Sequence, residues 1–283
     1  MNSVVYYHGQ CIALLTQHGK ERVIAPLFER ALSCRIQRVA GYDTDQLGTF
    51  TREIPRAGTQ LEAARRKAQI GMQLADSPYG LASEGAFGAD PIAGMFAWNV
   101  ECVLFIDARS ELEIVGWAQG RGQHQHLLTN DWECARIFAS QAGFPEHGLV
   151  IRPAGADDPR IHKGITDWGV LRKAFDDAQS QADNRQVFVE NDLRAHLNPT
   201  RMRMIEQATA NLIAKLHSPC PACHMPGFGA IASLPGLPCA DCGAPTQEAR
   251  GEEWACVKCH YRETLWYAPQ RYADPAYCPY CNP

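Results

Sequence analysis

No apolar run in this sequence is long enough to span a membrane, and internal repeats and low-complexity tracts are also absent. The short apolar run Cys11–Leu15 is not followed by the small-residue cleavage site of a signal peptide. The net charge of −4 provides no general attraction to polyanions. We therefore expect a cytoplasmic protein that does not enter a membrane.

Cysteine, by contrast, is abundant and clustered. Two cysteines separated by two residues can direct both sulfurs to one metal ion about 2.3 Å away. Four such pairs predict two structural Zn²⁺ sites of four thiolates each, within a small double zinc ribbon over residues 217–283. The pairs contain eight of the twelve cysteines and are Cys220/Cys223, Cys239/Cys242, Cys256/Cys259 and Cys278/Cys281.

The spacing of the four pairs does not determine which two pairs share a metal ion. Gaps of 15, 13 and 18 residues separate consecutive pairs. The outer two gaps fall in the range of a four-cysteine ribbon, which favours adjacent pairing, first with second and third with fourth. A nested arrangement, in which the middle pairs share one ion and the outer pairs the other, is the main rival. The same cysteines could instead form disulfides, which need an oxidising compartment, or hold an iron–sulfur cluster.

The charge of this tail argues against a nucleic-acid partner. From His217 to Pro283 there are four Lys or Arg residues against six Asp or Glu residues, whereas phosphate binding needs a basic face. A site filled by four thiolates has no open coordination position, so we expect a structural role for both ions. The aromatic side chains of the tail suit a small core or contact with a protein partner; they are Trp254, Tyr261, Trp266, Tyr267, Tyr272, Tyr277 and Tyr280.

Residues 1–216 have the size and apolar content of one domain. Short apolar segments alternate with helical patterns, which predicts an α/β domain with a mixed sheet flanked by helices. The predicted strands are Cys11–Thr16, Tyr79–Ala82, Val100–Asp107, Glu113–Trp117, Gly148–Arg152 and Gln186–Val189. The predicted helices are Glu21–Leu32, Thr59–Ala75, Asp131–Ala142, Asp167–Gln181 and Pro199–Leu216.

Two loops of this domain have the residue types of a phosphate site. His18, Gly19 and Lys20 follow the first predicted strand and precede the first helix, where a glycine, a lysine and free helix N–H groups together can hold a phosphate. A solvated helix start would explain the same residues. Farther along, an Asp-Thr-Asp turn is followed by Arg52 and Arg56, which fits a metal–phosphate ligand as well as an ordinary turn.

Two glutamates come next. Glu84 follows the predicted strand Tyr79–Ala82 and lies among small residues, which let a ligand approach the backbone. Glu84 is therefore the best candidate for a metal-binding or catalytic carboxylate. Glu62 has the capping-box spacing from Thr59, which already accounts for its presence. Glu133 has the same spacing from Asn130.

With these residues identified, the sequence resembles a bacterial family known as a domain of unknown function. The resemblance covers nearly the whole chain. The stretches that carry it are His18-Gly19-Lys20-Glu21, Asp43–Phe50, Ala82–Gly88, Gly143–Gly148, Lys163–Trp168, Asn198–Met202 and the cysteine tail ending in Tyr280-Cys281-Asn282-Pro283.

A more distant resemblance implies an activity. The order of strand, loop lysine, helix, a Glu-x-Ala-x-x-Lys-Ala pattern and then strand with Glu-Gly is similar to the inosine/xanthosine triphosphatases and Maf-like nucleoside triphosphate pyrophosphatases. This resemblance implies that Lys20 contacts phosphates and that Glu62 and Glu84 hold Mg²⁺, with Lys67 and Arg201 as further phosphate contacts. The sequence departs from that superfamily in lacking its usual loop asparagine and in carrying the cysteine tail.

Two hypotheses of function follow. In the first, Mg²⁺ between the two glutamates positions a nucleoside triphosphate and a water, and the products are a monophosphate and pyrophosphate. Lys20, with Arg52 or Arg56, would offset charge on the phosphoryl oxygens. In the second, the α/β domain binds a small ligand without turnover and the zinc ribbon is an adaptor that docks a protein partner.

Overall fold

The computed structural model describes residues 6–47, 58–269 and 271–283. The chain divides into two compact units. The first unit comprises residues 1–110 and 115–213, and the second comprises residues 111–114 and 214–283. Within the described residues, no helix combines the length and the apolar character needed to cross a membrane.

A mixed sheet forms the centre of the first unit, as predicted. Its strand order is β2-β1-β3-β4-β5, in which β1 pairs in parallel with β2 and β3, and β3 pairs antiparallel with β4. The strands are β1 (Cys11–Leu15), β2 (Arg35–Val39), β3 (Tyr79–Ala89), β4 (Ala97–Asp107) and β5 (Leu112–Arg121).

A second, antiparallel sheet accompanies it, with the order β6-β9-β7-β8. Its strands are β6 (His126–Thr129), β7 (Leu149–Pro153), β8 (His162–Ile165) and β9 (Val187–Asn191). One face of this sheet buries Leu149, Ile151 and Val189 in a core shared with Phe175 and Ala139 from the helices that flank it.

The five α-helices of the described residues lie where the sequence predicts them. They are α1 (Glu21–Leu32), α2 (Gln60–Ala75), α3 (Trp132–Gln141), α4 (Trp168–Gln181) and α5 (Pro199–Leu216). The predicted capping box of α2 is confirmed, because Thr59 and Glu62 bond reciprocally. The predicted cap of α3 is wrong: the N-cap is Asp131, whose side chain accepts a hydrogen bond from the N–H of Glu133 at 2.7 Å.

The third strand is longer than its sequence predicts. It runs to Ala89 rather than ending at Ala82, because every residue from Tyr79 to Ala89 pairs with β4. The small side chains after Ala82, which indicate a turn by composition, are compatible with this paired strand. Glu84 therefore lies inside a strand and not at its end.

The two faces of the mixed sheet are covered by different helices. Side chains of paired residues point to the same face and alternate along each strand. Ala82 and Cys102 pack with Ala64 and Ala68 of α2 on one face. On the opposite face, Phe105 contacts Phe28 of α1 at 6.5 Å between ring centroids.

The chain therefore crosses from β1 to β2 over one face and from β2 to β3 over the other. A reversal of this kind, here between the adjacent parallel strands β1 and β3, is a topological switch point. Ligands of open α/β sheets bind in the crevice beyond the carboxyl ends of strands at such a point.

Helix α5 approaches β5 closely because of one glycine. A Cβ atom on Gly116 would lie 2.2 Å from the carbonyl oxygen of Ala208 and 2.4 Å from the backbone nitrogen of Leu212. Backbone atoms cannot move aside as a flexible side chain can. Any larger residue at position 116 would push α5 away from the sheet.

The second unit is built on a three-stranded antiparallel sheet, β10 (Phe228–Pro235), β11 (Ala249–Cys256) and β12 (Arg262–Trp266). Its buried residues are few. Phe228 packs with Cys220 and Cys256, and Trp254 lies against this small cluster. So small a core supplies little of the free energy needed to hold the unit folded.

Candidate metal centres and a charged cluster at the switch point

The eight tail cysteines form two groups of four, as the prediction of a double zinc ribbon requires. In each group the four sulfur atoms lie within 4.8 Å of one another. One group contains Cys220, Cys223, Cys256 and Cys259, and the other contains Cys239, Cys242, Cys278 and Cys281.

The distances between sulfur atoms fit metal coordination. Sulfur atoms of different pairs lie 3.6–3.8 Å apart. Four sulfurs at the zinc–sulfur bond length of about 2.3 Å form a tetrahedron with edges of about 3.8 Å. A disulfide would require about 2.05 Å, and all the cysteines are free. The groups are thus two four-thiolate sites compatible with structural Zn²⁺.

The predicted pairing of the motifs is wrong, and so is its nested rival. The first pair joins the third, and the second joins the fourth. The hairpin of β10 and β11 explains this order, because its register places Phe228 opposite Cys256 and so brings the third pair beside the first. The second pair lies in the connection between these strands, and a bridge between Cys239 and Ala273 brings the fourth pair to it.

The turns after the cysteine pairs give the sulfurs a geometry and an electrostatic environment that favour metal binding. His224 and His260 have φ values of 61° and 60°, the left-handed conformation that closes a turn of this kind. Backbone N–H groups point at the sulfurs, as that of Lys258 does at 3.3 Å from Cys256 Sγ. The N–H groups of Cys281 and Tyr280 outweigh burial and lower the pKa of Cys278 to about 7. Both histidines act as turn residues beside complete sets of four thiols.

A different kind of site lies at the switch point of the first unit. Lys20 follows β1 and is only 6% exposed. Its Nζ donates a hydrogen bond of 3.1 Å to the carbonyl oxygen of Ser83 in β3. Burial, together with the nearby charge of Arg201, lowers the pKa of Lys20 to about 8. The side chain therefore remains mostly protonated at neutral pH.

Two buried ion pairs flank Lys20, one on each face of β3. On the α2 face, Lys67 pairs with Glu84. On the opposite face, Nε of Arg201 donates to Oε1 of Glu101 at 2.7 Å. All four side chains are buried.

The Arg201–Glu101 pair depends on a glycine and joins distant segments. A Cβ atom on Gly85 would lie 2.1 Å from Oε1 of Glu101, so only glycine leaves room for the pair. Arg201 also donates from Nη1 to the carbonyl oxygen of Leu193 at 2.6 Å. The guanidinium thereby ties α5 to the first sheet and to the segment that follows β9.

The cluster has a surplus of positive charge. Lys20 interacts electrostatically with the members of both pairs. Three cations, Lys20, Lys67 and Arg201, face two carboxylates, and the formal sum with all groups ionised is +1 (3 − 2). An anion at this place would balance the charge.

The loop before Lys20 is held from two sides. His18 and Gly19 have φ values of 64° and 72°. The ring of His18 stacks on that of His196 with centroids 5.1 Å apart. The side chain of Gln17 donates to Asp43 at 3.3 Å and accepts from Thr44 at 3.0 Å. These contacts fix the path of the backbone at the carboxyl end of β1.

The remaining residues expected at this site lie elsewhere. Glu62 is exposed on the first turn of α2, whereas Lys67 lies on the buried face of that helix. Hydrogen bonds from Thr59, the backbone N–H first, lower the pKa of Glu62. Arg52 and Arg56 lie outside the described residues. The structure thus brings together Lys20, Lys67, Glu84 and Arg201, with His18 and Gly19 in the adjoining loop.

Three polar residues of the same region are not singled out by the sequence. Ser83, Asn99 and Glu101 are buried beside the cluster. A signal for two of them exists in retrospect, since Asn99 and Glu101 alternate with the apolar residues Trp98, Val100 and Cys102 in β4. Polar residues with this spacing lie on one face of a strand and indicate a buried polar function there.

Comparison with known proteins gives one match. No curated protein and no solved structure is significantly similar to the chain. A family model described as a domain of unknown function, DUF6671, matches residues 67–283. That range contains Glu84, Glu101, Arg201 and all eight cysteines of the candidate metal centres. The chain belongs to the DUF6671 family of domains of unknown function.

Proposed function

We propose that the first unit binds the phosphate groups of a nucleotide-like ligand at the β1–β3 switch point, with Lys20 as the principal contact. The surplus positive charge of the buried cluster carries this proposal. A charge buried without a balancing partner is costly, and an incoming phosphate supplies that partner. The position beyond the carboxyl end of β1 is where ligands of open α/β sheets bind.

The loop geometry supports a phosphate in particular. Helix α1 begins directly after Lys20, so the N-terminus of this helix and the lysine belong to the same loop. Within the described residues, the side chain of Lys20 makes no capping hydrogen bond at this helix start. Backbone N–H groups, the helix dipole and a lysine are the usual elements of a phosphate site. Gly19, in the left-handed conformation, lets the backbone turn into the helix.

Replacement of Lys20 by methionine is expected to weaken the binding of a nucleoside triphosphate about tenfold or more, since a charge-assisted hydrogen bond is lost. Calorimetric titration of the metal-loaded protein with ATP, GTP, ITP and tripolyphosphate measures this. The effect should shrink as the pH rises through about 8, where Lys20 itself loses its proton.

Lys173→Met, on the exposed surface of α4, is the matched control and should bind as the wild type does.

The lowered pKa of Lys20 also determines the direction in which the stability of the folded protein changes with pH. Because the pKa of Lys20 falls from 10.5 to about 8 on folding, the unfolded chain binds more protons between these values. Stability of the wild type relative to Lys20→Met should therefore rise with pH across this window. Equal ligand affinity of both variants at pH 7 would refute the assignment.

A second candidate function is Mg²⁺-dependent hydrolysis of the bound nucleotide to a monophosphate and pyrophosphate. The observation that favours it is the place of Glu84, a buried carboxylate directly after Ser83, whose carbonyl oxygen Lys20 contacts. Carboxylates are preferred Mg²⁺ ligands. Glu84 would exchange Lys67 for Mg²⁺, and Lys67 would then turn to the phosphates. Glu62 would contribute only by leaving its capping box.

The hydrolase hypothesis predicts that Glu84→Gln abolishes pyrophosphate release while the protein stays folded. The amide keeps the shape of the carboxylate but binds Mg²⁺ poorly. A coupled pyrophosphate assay over a nucleotide panel, with circular dichroism as the folding check, measures both. Glu206→Gln, exposed on α5, is the control. Undiminished release in Glu84→Gln would exclude the role of Glu84. Binding without release in the wild type would favour the non-catalytic hypothesis, in which the tail docks a protein partner.

A further inference from the structure

Three buried polar atoms on one face of the first sheet have no hydrogen-bond partner among the described residues. They are Ser83 Oγ, Asn99 Oδ1 and Glu101 Oε2. The residues that carry them are at most 3% exposed. The register of β3 and β4 pairs Gly85 with Glu101 and Phe87 with Asn99, which places all three side chains on the face opposite Glu84. Buried polar atoms without a partner destabilise a fold and point to a ligand or water that completes them.

The neighbouring contacts fix two of these atoms as acceptors. The amide nitrogen of Asn99 donates to the carbonyl oxygen of Ala86 and to Oε1 of Glu101, both at 3.1 Å. If the Asn99 amide were flipped, its oxygen would face two other acceptor oxygens, which is unfavourable. Oδ1 is therefore the amide atom that still lacks a hydrogen-bond partner among the described residues. Oε1 of Glu101 is bound by Arg201 as well, which leaves Oε2 as its remaining acceptor.

The charges nearby determine whether these acceptors bind a cation or neutral hydrogen-bond donors. Arg201 contacts the Glu101 carboxylate, and the positive charge of Lys20 lies within electrostatic range. A further cation would be repelled by both groups. Neutral N–H or O–H donors carry no such penalty. The two acceptors come from alternate residues of one strand and lie side by side, which suits two separate donor groups on one ligand.

We infer that Asn99 and Glu101 accept hydrogen bonds from the vicinal hydroxyl groups of a ribose, so that the ligand of this site is a ribonucleotide. The inference rests on the proposed phosphate site. From Ser83, beside Lys20, to Gly85, opposite Glu101, is a step of two residues along β3, or about 7 Å. This is close to the span from a 5′-phosphate to the ribose hydroxyls. A carboxylate that accepts from ribose hydroxyls is common among nucleotide-binding α/β folds.

Calorimetric titration of the full-length, metal-loaded protein tests the inference with ATP and GTP, their 2′,3′-dideoxy analogues and tripolyphosphate. The wild type should bind each ribonucleotide at least tenfold tighter than its dideoxy analogue. Asn99→Leu should reduce that ratio to less than threefold and leave the affinity for tripolyphosphate unchanged. Gln73→Leu, which removes an exposed amide on α2, should retain the full ratio.

Glu101→Gln is the second variant, used if Asn99→Leu fails to fold. It retains an oxygen for Arg201 and should also lower the ratio. If ribonucleotides and dideoxynucleotides bind equally while tripolyphosphate binds, the inference is overturned and the phosphate site stands. If tripolyphosphate does not bind either, both fail. Stabilisation of the wild type by Mg²⁺ alone, lost in Asn99→Leu, would also overturn it by assigning the oxygens to a cation.

Discussion

Removal of both metal ions by a strong chelator is expected to unfold residues 214–283. The second unit has a very small buried cluster, of which Cys220 and Cys256 are themselves part. A structural zinc ion contributes about 10–16 kcal/mol of apparent binding free energy at neutral pH, far more than so small a core can supply. Elemental analysis should give two zinc ions per chain, and limited proteolysis before and after chelation should show the tail becoming cleavable. A tail that resists proteolysis after complete chelation would contradict this.

The interleaved arrangement has its own consequence for labelling. In Cys223→Ser, the group that loses a ligand should become open to alkylation at Cys256 and Cys259, while the second group stays protected. Adjacent pairing would instead expose Cys239 and Cys242. Mass spectrometry of alkylated peptides separates these outcomes. Cys134→Ser, an exposed cysteine of the first unit, should leave the metal content and the labelling of the tail unchanged.

Replacement of Arg201 by methionine is expected to destabilise the first unit by about 3–5 kcal/mol, because it leaves the carboxylate of Glu101 buried without its ion-pair partner. Arg201 is 1% exposed and its Nε lies 2.7 Å from that carboxylate. Urea unfolding in the presence of zinc, followed by circular dichroism, measures the loss.

Two further variants identify its cause. Arg203→Met, exposed on the same helix, should change stability by less than about 0.5 kcal/mol. The double variant Arg201→Met with Glu101→Leu should recover part of the loss, because the Glu101 carboxylate that lost its partner is removed as well. A double variant no more stable than Arg201→Met would show that the helix packing, and not the carboxylate, depends on Arg201.

The helices of this fold are predictable from sequence, and several of its strands are not. The first and last helices run over the predicted residues, because their apolar periodicity and flanking residues act locally. Strand β2 (Arg-Ile-Gln-Arg-Val) and strand β8 (His-Lys-Gly-Ile) have few apolar residues. They are strands because β1 and β7 provide hydrogen-bonding edges, which no local pattern of residues reveals.

The candidate sites also have some features that can be predicted from the sequence and others that cannot. The eight candidate metal ligands can be identified from sequence, because each pair forms its own local turn. Their partnership cannot, since it depends on the register that sets Phe228 against Cys256. Lys20 and Glu84 are identifiable as polar residues near strands. The charge partner of Glu84 is not, because Lys67 reaches it only when α2 packs on the sheet.

The alternation of the two four-cysteine groups along the chain also constrains how two metal centres could be assembled during synthesis. The ribosome synthesises the four cysteine pairs in sequence order. The first and second pairs are therefore both available before the third, although they belong to different groups. The first centre is complete only when Cys259 has been synthesised, and the second only when Cys281 has. A metal ion captured between the first two pairs during synthesis would have to exchange one of those pairs for a later one before either centre could form. Correct assembly of this tail would therefore require the exchange of cysteine ligands on a bound metal ion as well as the initial binding of that ion.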